Sequence, residues 1–358
     1  MTLHIFNPEH DLALASNLSN FTSPHAGRQL RHDLSWLPAL WANDDEVVLV
    51  EDVEKARRAV SRRKIKPCLL AGKQQLTSLP ISSIEPWGWN KALRAQLLRW
   101  GIDEQLMPTE TTLDEIRRLS HRRTAAQLLP HLQQEGTVGQ AYECTTEEEV
   151  LALMEQYGKI VLKAPWSSSG RGIRFIDDRL KATVCGNWLR NVITKQGSVM
   201  VEPYYHKVKD FGMEFFSNGE GMVEYLGLSL FHTTNGAYKG NMIATEQAKR
   251  QLLDRHFPLE LLDETKQRIC QILGDMFKGK YQGPFGIDMM VVKPQISNIK
   301  LQTSNFLHPC VEINLRRTMG HVALSVSRIC NPTNDDDLRH VMRIDYTDKH
   351  YKLRIKRL

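Results

Sequence analysis

Apolar residues recur along the first part of the chain in short runs separated by longer polar stretches. Leu3 to Phe6, Val47 to Val50 and Pro67 to Ala71 each gather apolar or β-branched residues and read as strands. Between the first two, Leu12 to Leu18 and Gln29 to Leu40 read as helical or irregular material. This pattern predicts a small α/β layer with a mostly parallel sheet. After Pro86-Trp87-Gly88-Trp89 the period lengthens, and Lys91 to Arg99, Thr112 to Leu132 and Glu147 to Tyr157 read as helices. The last begins at Thr145 or Thr146, carries glutamates in its first turn, where the helix dipole favours them, and stops at Gly158. Lys159 to Lys163 and Ile173 to Ile176 then read as strands around a loop.

That loop is the first candidate for chemistry. Its residues Ser167, Ser168, Ser169, Gly170, Arg171 and Gly172 are mostly small, so backbone N–H groups can approach phosphate oxygens closely. Lys163, at the end of the preceding strand, adds a positive charge, and triphosphate is the natural ligand. A surface turn of the same composition is the plainer alternative. There is no Gly-x-x-x-x-Gly-Lys-Ser/Thr, and Gly170-x-Gly172 is followed by Phe175 instead of a third glycine. A strand, not a helix, follows the loop, which excludes both the P-loop and the dinucleotide fingerprint.

Ser198 to Tyr204 is an apolar strand that ends at Glu202-Pro203-Tyr204. Near the C-terminus, Gly283 to Val292 is apolar except for Asp288. In His308 to Gly320, Val311, Ile313 and Leu315 alternate with Glu312, Asn314 and Arg316, which places the second set on one strand face. A buried carboxylate is costly unless paired or metal-bound. Two antiparallel strands joined through Gln295 to Asn305 would set Asp288 beside Glu312 and Asn314. Such oxygen ligands suit Mg²⁺, and Mn²⁺ fits as well. Ion pairs of these acids with Arg316 or a lysine are the structural alternative.

A length of 358 residues implies two or three domains, and 41% apolar with 25% charged residues is ordinary for globular chains. The net charge of +6 comes largely from Lys55 to Lys66 and from the tail Lys352 to Arg357. No aromatic residues interleave there to stack bases, which argues against a nucleic-acid partner. The six cysteines are scattered without a Cys-x-x-Cys pair, so free thiols are expected. The start lacks the features of a secretory signal and no stretch approaches the roughly 20 apolar residues of a membrane helix, so a cytoplasmic protein is expected.

Taken together, the strand-lysine with its Ser/Gly loop, the acid-ended strand, and the ordered Asp288…Glu312-x-Asn314 signature resemble the ATP-grasp superfamily, over about residues 115–330. The resemblance implies an α/β pre-ATP-grasp domain over 1–112 and two α+β subdomains clamping the nucleotide, over 113–201 and 202–358. It implies that Lys163 meets the α-phosphate, that the loop covers the β- and γ-phosphates, and that Arg122 or Arg123 replaces an earlier phosphate-binding lysine. Glu202 would lie at the adenine, Asp210 (or Glu214 in its stead) at the ribose, and Lys239, in the polar loop Phe231 to Asn241, at the γ-phosphate. Asp288, Glu312 and Asn314 would hold the metals, and Arg316 would stand at the reacting centre, as in the biotin carboxylase and carbamoyl phosphate synthetase branch. The chain departs from the D-alanine ligase pattern at Gly286, where an arginine would precede the metal aspartate, and at Arg317, where a Pro-Gly turn would begin. Asn7, Glu9 and His10, after the first strand, are candidates for substrate contact, though a helix start capped by Asp11 explains them as well. The implied activity is an ATP- and Mg²⁺-dependent ligase that phosphorylates a small-molecule carboxylate and couples it to an amine. A homodimer is compatible with this. A nucleotide-binding regulator and a phosphotransferase are the alternatives.

Overall fold

The structure, a computed structural model, describes residues 1–63, 65, 68–167, 172–177, 179–234, 237–293, 305–330 and 340–357. Its N-terminal part runs β1 (Thr2–Ile5), α1 (His10–Ser16), α2 (His25–Leu34), β2 (Val47–Leu49), α3 (Val53–Ser61), β3 (Leu69–Ala71), β4 (Ser83–Pro86) and α4 (Lys91–Arg99). The strands are all parallel, in the order β3-β2-β1-β4. β4 was not legible in the sequence, because only Ile84 and Pro86 of its residues are buried. The strand order reverses at β1, so the segments leaving β1 and β4 emerge side by side at a topological switch point, where ligands of open α/β sheets collect.

The middle part comprises α5 (Glu110–Leu119), α6 (Arg123–Leu132), β5 (Tyr142–Cys144), α7 (Glu147–Tyr157), β6 (Ile160–Lys163), β7 (Ile173–Ile176), α8 (Arg179–Gln196) and β8 (Val199–Pro203). The single helix expected over Thr112 to Leu132 is two. Ser120 Oγ donates to the Ile116 carbonyl at 2.7 Å and His121 Nδ1 accepts from the Arg123 amide at 2.9 Å. These local bonds compete with the helical ladder. α7 begins with a Thr146–Glu149 capping box and ends at Gly158 in a positive-φ conformation, as the sequence suggests. The antiparallel sheet β5-β8-β6-β7 buries Leu162, Val199 and Val201 with α7 and α8, and turns Val161, Lys163 and Glu202 to its other face.

The last part contains β9 (Lys207–Ser217), β10 (Val223–Thr234), β11 (Ala237–Ile243), α9 (Glu246–Asp254), α10 (Leu259–Phe277), β12 (Gly283–Val292), β13 (Phe306–Asn314), α11 (Met319–Cys330), β14 (His340–Thr347) and β15 (His350–Arg357). Among the described residues these strands form one antiparallel sheet, β13-β12-β9-β10-β11-β14-β15. One face packs Phe211, Met213, Phe215, Phe285, Ile287 and Met289 into a core with residues of α6 and α10. The supposed polar loop Phe231 to Asn241 is mostly the adjoining ends of β10 and β11, and the basic tail lies in β15, the second strand of the hairpin β14–β15. Arg63 donates to the Leu353 carbonyl at 3.0 Å, which brings the two basic segments together. Tyr351 N donates to Asp33 at 2.8 Å, and Leu353 and Met342 share a core with Trp36 and Val60, fastening the hairpin to the N-terminal layer.

Perfect alternation along β13 fails. Asp288 pairs with Glu312 but Met290 pairs with His308, so the strand bulges at Pro309, which has no N–H for the ladder. Cys310 therefore joins the core and Val311 is left half-buried. All six cysteines are free. Among the described residues no helix is long and apolar enough to cross a membrane.

Candidate functional site

The polar face of the large sheet is assembled by register. Asp288 on β12 lies opposite Glu312 on β13 and opposite Gly212 on β9, while Gly286 lies between Asn314 and Glu214 in the next row. Asn314 Nδ2 donates to Asp288 Oδ2 at 3.3 Å. Asp288 keeps some solvent contact, yet burial, the Glu312 charge and the Glu214 charge push its pKa up to about 8. Two facing carboxylates that repel one another make a site short of positive charge. Glu214 fits this face because its neighbours have no side chains. A Cβ at Gly286 would stand 2.6 Å from Glu214 Oε2, and one at Gly320 would stand 1.7 Å from Oε1. Glu214 also accepts from Thr318 Oγ1 at 2.8 Å and lies 3.0 Å from His321 Nδ1. Among the described residues no three His, Cys, Asp or Glu side chains gather into a cage. Two carboxylates and one amide are an open oxygen set, which fits Mg²⁺, since that ion retains waters and shares phosphate oxygens.

Cations border the acids. Arg122, buried ahead of α6, donates to Glu312 Oε1 at 2.8 Å and to Ser167 Oγ at 2.8 Å, and also to the Ala164 carbonyl. Arg123 turns instead to Glu143 at 2.7 Å, so of the two arginines it is Arg122 that meets the metal strand. At the loop's base Ala164 N donates to the Gly172 carbonyl at 2.8 Å, and a Cβ on Gly172 would stand 2.4 Å from Ser167. Ser168, Ser169 and Gly170 lie outside the described residues. Lys163 Nζ contacts both Glu202 oxygens at 2.6 Å, a buried pair on the face of the small sheet away from its core. On the large sheet Asp210 shares the face of Asp288 and Glu214, and accepts from Lys207 at 2.6 Å and from Thr233. Lys239 is exposed on β11.

Arg316 stands beside the acids and is engaged from across the fold by Asp11. Its Nε and Nη2 grip Asp11 at 2.7 and 2.8 Å, Nη2 also donates to Asn314 Oδ1 at 2.8 Å, and Nη1 donates to the Arg317 carbonyl at 3.1 Å. It thus ties the strand of the acids to the segment leaving β1. Asp11 does not cap α1, whose N-cap is Glu9 without a side-chain bond. Of the N-terminal candidates, Asn7 Nδ2 donates to the Gly88 carbonyl at 2.8 Å and His10 Nδ1 lies 3.1 Å from Asn90 Nδ2, across the switch point. Glu9 pairs with Arg31. Sequence reasoning missed Asp11, Thr318 and His321 as neighbours of this face, because their contacts cross between elements with no local spacing to mark them. Glu214 had a signal: Asp210, Gly212 and Glu214 alternate with the apolar Phe211, Met213 and Phe215.

No family model matches the sequence, and no curated protein matches it. Solved structures do resemble the fold. N5-carboxyaminoimidazole synthetase from Staphylococcus aureus complexed with ADP is 12% identical, with a TM-score of 0.51 over 97% of this chain and 83% of that one. The biotin carboxylase domain dimer of the Hydrogenobacter thermophilus 2-oxoglutarate carboxylase, with MgADP, ADP and bicarbonate, is 13% identical with a TM-score of 0.54, over 97% and 75% of the two chains. Phosphoribosylamine–glycine ligase from Thermotoga maritima is 13% identical with a TM-score of 0.51, over 98% and 82%. The chain has the ATP-grasp fold.

Proposed function

We propose that this protein, built on the ATP-grasp fold, is an ATP- and Mg²⁺-dependent ligase that joins a small-molecule carboxylate to an amine or similar nucleophile. The observation that carries the reading is the direct opposition of Asp288 and Glu312 on neighbouring strands, with Asn314 beside them and arginines on either side. Binding of ADP by the Staphylococcus aureus synthetase and of MgADP by the Hydrogenobacter thermophilus domain supports the nucleotide and the ion. The dimer formed by the latter supports a homodimer here. The chain divides near residues 112 and 201 into a substrate domain and two nucleotide-clamping subdomains.

In this reading an oxygen of the substrate carboxylate attacks the γ-phosphorus, the bond to the β–γ bridging oxygen breaks, and ADP leaves with that electron pair. The nucleophile then displaces phosphate from the acyl phosphate. Such transfer needs chiefly positioning and charge neutralisation. A divalent ion on Asp288, Glu312 and Asn314 would neutralise phosphate charge. Lys163 and Glu202 hold the α-phosphate and the adenine, exchanging part of their mutual pair for those groups. Asp210 holds the ribose, and Ser167 to Gly172 close over the phosphates. Arg122 turns from Glu312 towards phosphate, Lys239 approaches the γ-phosphate from β11, and Arg316 fixes the acids and the substrate segment relative to each other.

The test is incubation with Mg-ATP and pools of carboxylates and amines, followed by mass spectrometry. ADP, phosphate and a condensed product are expected, and Glu312→Ala should abolish ADP formation in a folded protein. Unchanged turnover in that variant sinks the assignment. A phosphorylated product without free phosphate would show a phosphotransferase, and nucleotide binding without turnover a regulator.

A further inference from the structure

The guanidinium of Arg122 joins the base of the Ser/Gly loop to the strand that carries the acids. Its side chain is only 6% exposed. Nη1 donates to the Ala164 carbonyl and, at 2.8 Å, to Ser167 Oγ, while Nη2 donates to Glu312 Oε1 at 2.8 Å. Nε is buried without a hydrogen-bond partner among the described residues. Arg122 immediately precedes α6, and Ala125, Leu128, Leu129 and Leu132 of that helix are packed into the core of the large sheet. The backbone that carries the guanidinium is therefore anchored, and one buried cation reaches from the loop to the metal strand.

The charges beside it are already shared out. Arg316 gives Nε and Nη2 to Asp11, so its charge is matched from the N-terminal segment. Asp288 accepts from the neutral amide of Asn314. Among the described residues Arg122 is the ion-pair partner of Glu312. A divalent ion held by Glu312 and Asp288 would lie within about a carboxylate's width of this guanidinium, where like charges repel strongly. Turning Arg122 aside leaves a buried guanidinium without its carboxylate, which is also costly. A phosphate group relieves both difficulties. It offers Arg122 two oxygens in the geometry onto which a guanidinium forks, and it adds negative charge next to the ion.

We infer that Arg122 is a built-in counter-cation of the metal strand, which makes the site reject a bare divalent ion and accept one only together with a polyphosphate. The inference deepens the ligase reading and rests on it for the metal set Asp288, Glu312 and Asn314. Ion and nucleotide are thereby coupled through a single side chain, and the coupling is reciprocal: the factor by which the nucleotide raises the ion's affinity is the factor by which the ion raises the nucleotide's. The base of the loop enters the same coupling, because Ser167 and Glu312 share the guanidinium.

The experiment titrates the full-length protein with bare Mn²⁺, the free ion being read by its electron paramagnetic resonance signal, and separately with Mn-ADP by calorimetry. Arg122→Met should bind bare Mn²⁺ roughly tenfold or more tightly than the wild type, and Mn-ADP roughly tenfold or more weakly. Opposite shifts are the signature, since a damaged fold weakens both. Arg123→Met is the control for positive charge in general: that arginine pairs with Glu143 at 2.7 Å, and its loss should move neither affinity. Arg122→Gln, which keeps an N–H donor for Ala164 and Ser167, should show the same opposite shifts and decides the matter if the Met variant does not fold. If the wild type binds Mn-ADP but loss of the Arg122 charge leaves bare Mn²⁺ no tighter, or if Arg123→Met tightens it equally, the inference is overturned while the ligase reading stands. Binding of neither Mn²⁺ nor Mn-ADP by any of these proteins would sink the metal set, and the ligase reading with it.

Discussion

Replacing Asp288 by Asn should stabilise the empty protein while it disables Mg-nucleotide binding. The substitution keeps the shape of the side chain and removes one of two facing charges. The folded protein holds the Asp288 proton up to about pH 8 whereas the unfolded chain releases it near 3.8. An acid whose folded pKa is raised stabilises fully below its unfolded pKa, and that share is lost as pH rises through the folded value. At about 1.4 kcal/mol for each pH unit, the loss is at most about 4 kcal/mol at pH 7 and about 6 kcal/mol above pH 8. The residual solvent contact of Asp288 makes these figures ceilings. Asn has no proton to release, so the variant should match the wild type near pH 4 and exceed it increasingly towards pH 8. Denaturant unfolding at several pH values, in chelator, reads this difference directly. With Mg-ADP at about 100 times its dissociation constant the wild type should gain roughly 2.7 kcal/mol and the variant much less. An Asn variant less stable than the wild type at pH 8, or one that gains as much from Mg-ADP, would refute the view that these carboxylates are held together for a cation.

The buried Lys163–Glu202 pair gives a second expectation. Lys163→Met leaves Glu202 uncompensated and should cost about 3–5 kcal/mol, most of it recovered in the double variant with Glu202→Gln, though without nucleotide binding; urea unfolding of the singles and the double tests this. Acid should unfold the protein partly through its neutral histidines. The folded pKa values of His10, His121 and His308 are depressed by burial from 6.5 to about 4, 3 and 3. Their stabilising share is complete above pH 6.5 and is lost as pH falls below it, by up to about 1.4 kcal/mol per pH unit for each. His308→Phe should flatten that slope by one histidine's share, measurable by unfolding at pH 4 and pH 7.

Much of this protein follows from local pattern. Period-two alternation fixed which residues of β9 and β12 face the core, and a lysine-ended strand before a Ser/Gly loop needs no partner to be recognised. The capping box of α7 and its glycine stop are likewise contained within a few residues, so their physics is complete in the sequence. The end of β13 is partly of this kind, with Glu312, Asn314 and Arg316 spaced to share a face, although Pro309 breaks the alternation just before them.

Other features depended on which distant elements met. Whether Asp288 stands opposite Glu312 is a matter of register between strands. That Glu214 can lie among these acids required two glycines far apart in the chain to leave it space. Arg316, read alone, is a free cation at a reacting centre; the tertiary structure gives it to Asp11, 305 residues away. Burial acts in the same way, since His10 is an ordinary histidine in the sequence and its pKa falls to about 4 only after the segment leaving β4 closes over it. Alternation and capping act over a few residues and are written locally. Charge pairing, desolvation and room for a side chain belong to whichever neighbours the fold supplies, so only the folded chain decides them.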